Sequence, residues 1–176
     1  MEKNEAGERM SEIEYYPFFA AFLEKQRYET FLSDIDFNLP EPGGAFVEGT
    51  DAGVKRFKTA PPRLATIEVK RSDVSKVIQQ ALLRRQFATY SYIGFFFDAT
   101  PELGYIIYRL SKDFDDLQRL GLGVLLYDQA RDHMFTVKTA KASKQINPAY
   151  RDLLLAACPP KERGTGVRRR PSPRRS

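Results

Sequence analysis

The sequence contains one cysteine, Cys158, one histidine, His133, and no tryptophan. A single cysteine excludes a disulfide within the chain, and one cysteine with one histidine cannot assemble a Cys/His zinc site. Any bound metal would therefore need oxygen ligands. Cys158 and His133 could in principle act as nucleophile and base. Cys158 borders a Pro-Pro pair and a low-complexity end, which argues against that role.

Long apolar runs are also lacking. No run approaches the roughly 18 residues that a membrane span needs, and the first residues are acidic and polar, unlike a signal peptide. We therefore expect a cytoplasmic protein without a membrane segment. The net charge of +5 is concentrated in residues 161–176, which hold seven Lys/Arg and one Glu, whereas residues 1–160 are close to neutral. The basic character thus belongs to the end of the chain.

The composition predicts one folded domain between two polar ends. The chain of 176 residues is 42% hydrophobic, which is enough for a sizeable core in a single domain. We predict a flexible N-terminus at 1–10, a folded domain at 11–158 and a disordered basic tail at 159–176. The arginines of this tail would either add salt-sensitive affinity for nucleic acid or serve solubility alone.

Hydrophobic periodicity predicts an α/β protein with a central mixed sheet flanked by helices. The predicted element order is αβββαβαββα. Helices are predicted from Ser11, after Ser72 or Asp73, across 103–117 with Gly121 as the cap, and across 149–157; strands are predicted across 28–37, 54–59, 64–70, within 88–99, across 124–128 and across 134–137.

The strand that ends in Glu68-Val-Lys70 contains the strongest candidate site. Alternation along a strand places Ile67 and Val69 on one face and Glu68 and Lys70 on the other. Two charges at the end of an apolar strand are costly to desolvate unless they are paired or used. A Glu-x-Lys tripeptide can occur by chance, but this is the only copy in the chain, and it leads directly into an amphipathic helix.

The wider pattern resembles the PD-(D/E)xK nuclease superfamily. Asp51 precedes Glu68-Val-Lys70 by sixteen intervening residues, and a helix carrying Gln80-Ala81 follows. The resemblance covers about residues 12–140, including a leading helix with Glu14. It implies a restriction-endonuclease-like fold with an αβββαβ core and a Mg²⁺-dependent endonuclease that hydrolyses phosphodiester bonds of DNA, with RNA a less favoured substrate.

The first acid of the pattern has two rivals. The family usually has proline before it, where this chain has Thr50. Asp34 and Asp36 lie in an alternating predicted strand, and Asp36 is the stronger rival. Thirty-one residues separate Asp36 from Glu68, which is a long connection between directly paired strands. We therefore favour Asp51.

The resemblance implies a metal site whose chemistry follows from its donors. Mg²⁺ binds oxygen ligands, usually one or two carboxylates with several waters, and a bound divalent cation activates water and neutralises charge during phosphodiester hydrolysis. Asp51 and Glu68 would supply the carboxylates, and by the resemblance Val69 would supply a backbone carbonyl. Lys70 would orient or help deprotonate the attacking water. Mn²⁺ could replace Mg²⁺.

Four further residues have both a functional and an ordinary interpretation. By the resemblance, Glu14 would reach the metal through water, or it would only favour the helix dipole. Gln80 would position the substrate or the lysine, or it would face solvent. Lys76 and Arg84 would contact phosphate from the polar face of the same helix, or they would form a solvated charged surface.

Two classes of function remain open at this stage. One is the nuclease, acting as a monomer or a homodimer. The other is a non-catalytic nucleic-acid-binding or scaffold protein that keeps the nuclease fold. The presence of Asp51, Glu68 and Lys70 together favours the enzyme.

Overall fold

The computed structural model describes residues 12–38, 46–71, 73–98 and 100–158. The predicted flexible N-terminus at 1–10, the basic tail at 159–176 and the candidate cap Ser72 lie outside these residues. The helices are a 3-10 helix at Glu12–Tyr15 and then α1 Tyr16–Lys25, α2 Val74–Arg84, α3 Thr100–Lys112, α4 Phe114–Leu120 and α5 Pro148–Ala157. The strands are β1 Thr30–Asn38, β2 Phe46–Lys55, β3 Arg63–Lys70, β4 Tyr90–Phe97, β5 Gly123–Asp128 and β6 His133–Lys138.

These strands form one mixed sheet in the order β1-β2-β3-β4-β5-β6. β1, β2 and β3 are antiparallel neighbours. β4 is parallel to β3 and β5 is parallel to β4, whereas β6 returns antiparallel to β5. The parallel strands therefore end at the same edge of the sheet. The predicted α/β class, with a mixed sheet flanked by helices, is confirmed.

Both faces of the sheet bury apolar side chains. On one face α1 packs through Phe19 and Leu23 against Ile67, Val69 and Phe96. The opposite face packs against α2, α3 and α4, and α5 joins a cluster with apolar residues of β2 and β3. β4 is buried along nearly its whole length, as its aromatic run predicts for a central strand covered on both sides.

Local signals place the ends of two helices. The side chain of Asp73 accepts a hydrogen bond from the backbone N–H of Lys76 at 3.0 Å, which is an N-cap interaction at the start of α2. Gly121 follows α4 with φ 71°, in the left-handed region that favours glycine. Asp73, one of the two predicted cap residues, therefore begins α2, and Gly121, predicted to end a single helix, ends α4.

The predicted second strand is wrong in position. A strand was expected across 54–59, but β2 runs from Phe46 to Lys55 and contains Asp51 and Gly53. Gly53 pairs with Phe31 on one side and with Ala65 on the other. Because hydrogen-bonded neighbours on both sides stabilise this backbone, the weak strand preference of glycine does not end the strand.

The single helix predicted over 103–117 is also wrong. The apolar stripe continues, but the structure divides it into α3 and α4 at Asp113. The backbone N–H of Asp113 donates to Leu110 O at 3.2 Å, while Asp113 O accepts from the N–H of Leu117 at 2.8 Å. Asp113 thus closes one helix and opens the next. Ile107, which belongs to the predicted stripe, is about half exposed.

None of the helices within the described ranges is long and apolar enough to cross a membrane.

We expect Gly94→Ala to destabilise the fold, because α1 packs closely on β4 at this glycine. A methyl group on Gly94 would lie 2.5 Å from Cε1 of the fully buried Phe19, and overpacking of this kind costs about 1–3 kcal/mol. Urea unfolding followed by circular dichroism measures the change. The matched control is Gly104→Ala in α3, where the methyl group meets nothing within 4 Å. Alanine should stabilise that helix by about 0.5–1 kcal/mol. Equal effects at both positions would contradict the close packing of α1.

Candidate functional site

β2 and β3 separate at the end of β3. Their ladder pairs Asp51–Lys55 with Arg63–Ile67, whereas residues 46–50 pair with β1 and residues 68–70 pair with β4. Asp51 and Ile67 are the last partners before the two strands diverge. We call Asp51 together with Glu68–Lys70 the open end of the hairpin. It is the region in which the sequence predicted the site.

Glu68 and Lys70 lie on the same face of β3 and contact each other. Glu68 is 4% exposed, and its Oε1 lies 3.6 Å from Lys70 Nζ. Their neighbours Ile67 and Val69 point to the opposite face and pack against α1. A buried carboxylate therefore has an ammonium group beside it at the end of the strand.

Arg84 provides a second cation to Glu68. It is the last residue of α2, is 1% exposed, and places Nη2 2.7 Å from Glu68 Oε2. Its Nη1 also donates to the backbone carbonyl of Gln80 at 2.9 Å. The carboxylate of Glu68 thus lies between two positive charges, one from its own strand and one from α2.

The placement predicted for Arg84, on a solvent-facing helix surface in reach of phosphate, is wrong. Lys76 is exposed, Gln80 is half-buried and Arg84 is buried. Because a step of four residues turns an α-helix about 40° beyond a full circle, a stripe at this spacing winds from solvent towards the sheet. Only Lys76 remains where it could contact phosphate in solution.

Burial dominates the electrostatics of this pair. It raises the pKa of the Glu68 carboxyl, an effect that Arg84 and Lys70 partly oppose. It also lowers the pKa of the Arg84 guanidinium, and Glu68 and Asp51 partly oppose this shift. Each buried charge is therefore retained largely because its partner is present.

Asp51 is buried within β2, at 2% exposed, and does not precede the strand as predicted. Its register partner is Ile67, so by alternation its side chain leaves β2 on the α1 face, opposite that of Glu68. Its charge nevertheless acts on the pKa of Arg84. The two carboxylates thus start from opposite faces where the strands diverge, and of the two it is Glu68 that contacts Arg84 at 2.7 Å.

The rival acids Asp34 and Asp36 lie on β1, which pairs with β2. The register shifts between the pair Leu32–Ala52 and the pair Ile35–Thr50. Asp34 and Asp51 both lie at this shift, so their backbones are close. The side chains of Asp34 and Asp36 are outside the described part of the structure. Because β2 separates β1 from β3, the backbone favours Asp51 as the acid nearer to Glu68.

The leading helix contributes Glu12, which lies in its first turn together with Glu14. Lys70 Nζ donates to Glu12 Oε2 at 2.6 Å. Glu14, the residue favoured by the resemblance, is exposed. Each residue of a 3-10 helix turns the chain by about 120°, so two glutamates two positions apart point in different directions. The acidic pair was visible in the sequence, but its orientation was not.

Gln80 lies close to this charge cluster. It is half-buried, and its Oε1 is buried without a hydrogen-bond partner among the described residues. A buried acceptor of this kind is costly, which favours a role for Gln80 in holding a ligand or water. Val69 packs its side chain into the core, so it could contact a metal only through its backbone.

The donor set fits a hard divalent cation only in a limited form. Within the described residues no three His, Cys, Asp or Glu side chains are grouped so as to hold a metal ion. Asp51 and Glu68 offer one carboxylate on each face of the sheet, and the edge of β3 that faces β2 ends its ladder at Ile67, which leaves backbone carbonyls as further donors. Mg²⁺ is commonly held by one or two carboxylates together with waters.

Cys158 and His133 do not form a site. Cys158 packs against Ala52 and Val54 of β2, and burial raises the pKa of its thiol to about 11. His133 begins β6 at the other side of the sheet. A protonated, buried thiol is a poor nucleophile, so the structure gives no support to catalysis by these two residues.

The chain matches no protein-family model. It has no significant similarity to any curated protein.

We expect Glu68→Gln to change how the stability depends on pH. The raised pKa means that the folded protein binds more protons than the unfolded chain between the ordinary value of 4.5 and the raised value. The free energy of unfolding contributed by Glu68 therefore falls as the pH rises through this window. The difference in the free energy of unfolding between Glu68→Gln and the parent should therefore shift in favour of the variant as the pH rises above 4.5.

Urea unfolding at a series of pH values measures this difference. Glu14→Gln is the matched control, because Glu14 is an exposed glutamate of the first 3-10 helix, where a substitution usually changes the free energy of unfolding by less than about 0.5 kcal/mol. A Glu68→Gln offset that stays flat, or that moves in favour of the parent as the pH rises, would contradict the effect of burial on Glu68.

Proposed function

We propose that the protein is a metal-dependent nuclease that hydrolyses phosphodiester bonds of DNA, with RNA a less favoured substrate. The observation that carries the proposal is the open end of the hairpin. There the buried Glu68 contacts Lys70 at the point where β2, with the buried Asp51, separates from β3. The order α1-β1-β2-β3-α2-β4 supports the resemblance to the PD-(D/E)xK superfamily. We place the enzyme in the cytoplasm, as a monomer or a homodimer.

In this proposal Glu68 and a backbone carbonyl at Val69 would hold Mg²⁺ or Mn²⁺, and Asp51 would have to reach the same ion around the diverging ends of β2 and β3. When bound, the cation would supply a water activated near neutral pH and would neutralise charge on the phosphate. Lys70 orients that water or helps to deprotonate it, and its ammonium also stabilises negative charge that develops on the phosphate.

Other residues position these groups. Glu12 holds the ammonium of Lys70 through the 2.6 Å contact. It is therefore the acid of the leading helix that contacts the site, in place of Glu14. Gln80 offers a buried side-chain oxygen near the cluster. The exposed Lys76 contributes a phosphate contact, which would be sensitive to salt.

A specific observation favours a second candidate, a non-catalytic nucleic-acid-binding or scaffold protein. Glu68 is already paired with Arg84 at 2.7 Å, and Lys70 is already paired with Glu12 at 2.6 Å. These ion pairs neutralise Glu68 and Lys70 without a metal, as a structural cluster would require. The two candidates differ in whether the charged groups also serve a reaction.

The proposed activity is tested by cleavage of supercoiled plasmid, single-stranded DNA and RNA with Mg²⁺ or Mn²⁺. We expect the supercoiled plasmid to be converted to nicked and linear forms in either metal. After the metal is chelated, the plasmid should remain supercoiled. Lys70→Ala should lower the rate at least about 100-fold, the usual contribution of a positioned acid or base. Asp51→Asn and Glu68→Gln should lower it comparably.

Lys58→Ala is the matched lysine control. Lys58 is exposed in the loop that joins β2 and β3, at the opposite end of β3 from Lys70, so its variant should cleave like the parent. If the purified protein leaves all three nucleic acids intact in both metals, the binding or scaffold function replaces the nuclease. Equal loss in Lys58→Ala and Lys70→Ala would remove the assigned role of Lys70.

A further inference from the structure

Arg84 is the most deeply buried charged side chain of the candidate site. It is 1% exposed and ends α2, which packs against β3 and β4. A guanidinium in this position loses its hydration and remains charged because an anion faces it. Here the anion is Glu68, at 2.7 Å, which is also a proposed metal ligand. A positive charge from the protein thus contacts an oxygen that a divalent cation would need.

The second proposed ligand acts on the same guanidinium. Asp51 is buried at the last β2–β3 pair, and its negative charge helps to offset the burial of Arg84. Asp51 and Glu68 leave the sheet on opposite faces, so Glu68 is the proposed ligand whose oxygen Arg84 contacts directly.

We propose that Arg84 is an internal cation that competes with a divalent metal for Glu68, and thereby sets the metal affinity of the site. The inference rests on the proposed nuclease function and adds a residue that the resemblance to the nuclease superfamily does not supply. Arg84 is a positioning residue in this account, because it acts on the metal ligands and not on the substrate.

The competition has a definite direction. A unit positive charge in contact with a metal ligand repels an incoming divalent cation, and this repulsion is weakly screened at a buried site. Removing the charge while filling its volume should therefore tighten metal binding. Keeping a positive charge on a different side chain should preserve most of the repulsion, which separates an effect of charge from an effect of packing.

Mn²⁺ titration of the full chain, followed by the electron paramagnetic resonance signal of free Mn²⁺, tests the inference without relying on cleavage. Arg84→Met and Arg84→Gln should each bind Mn²⁺ at least about tenfold more tightly than the parent, given the strength of charge interactions at buried sites. Arg84→Lys should bind close to the parent.

Arg85→Met is the matched control on the neighbouring residue. Arg85 donates instead to the backbone carbonyl oxygens of Gly121 and Lys141, both at 3.2 Å, so its variant should bind Mn²⁺ like the parent. Circular dichroism checks that each variant is folded. Arg84→Gln can still donate to the Gln80 carbonyl and gives a second neutral variant if Arg84→Met does not fold.

Two further variants separate the failure of this inference from the failure of the proposed function. If Glu68→Gln and Asp51→Asn weaken Mn²⁺ binding but both neutral Arg84 variants bind like the parent, the role of Arg84 is overturned and the metal site stands. If Glu68→Gln and Asp51→Asn leave Mn²⁺ binding unchanged, the metal site itself is wrong, and the inference fails with it.

Discussion

The contact between Glu68 and Arg84 is the constraint on which the candidate site depends. It joins the end of β3 to the end of α2 across a buried 2.7 Å gap. Neither charge is stable alone in such a place, and removing one partner of a buried ion pair commonly costs about 3–5 kcal/mol. The pair therefore fixes α2 relative to the sheet, and it holds the Glu68 carboxylate in one position beside Lys70. Folding and the chemistry of the site are coupled through this single contact.

Much of the fold was predictable because most elements carry their own signal. The apolar run at β4, the Asp73 cap of α2 and the left-handed Gly121 each specify local structure without information from elsewhere in the chain. β2 was not predictable in the same way, because it depends on β1 and β3 to supply hydrogen bonds on both sides of Gly53. The division between α3 and α4 was also not visible in the spacing of the apolar residues, because both helices face the same core.

The candidate site was predictable where alternation along one strand decides the outcome. Glu68 and Lys70 share a face because they are two residues apart in β3. The partners that come from other elements were not predictable. Arg84 is buried because of the winding of α2, and Glu12 reaches Lys70 across 58 residues of sequence separation. The side on which Asp51 leaves β2 depends on the register with Ile67, which the spacing of the two acids does not determine.

In a nuclease, the net charge of this cluster would change when metal and substrate bind. Asp51, Glu68 and Glu12 carry three negative charges against the two positive charges of Lys70 and Arg84, so the ionised set has one negative charge in excess. One divalent cation would change the excess to one positive charge, and a phosphodiester group carries one negative charge. A site with the metal alone would therefore be less well balanced than a site with metal and phosphate together. In a buried environment, where unbalanced charge is costly, this favours joint binding of the two. A purely structural cluster has no reason to bind either.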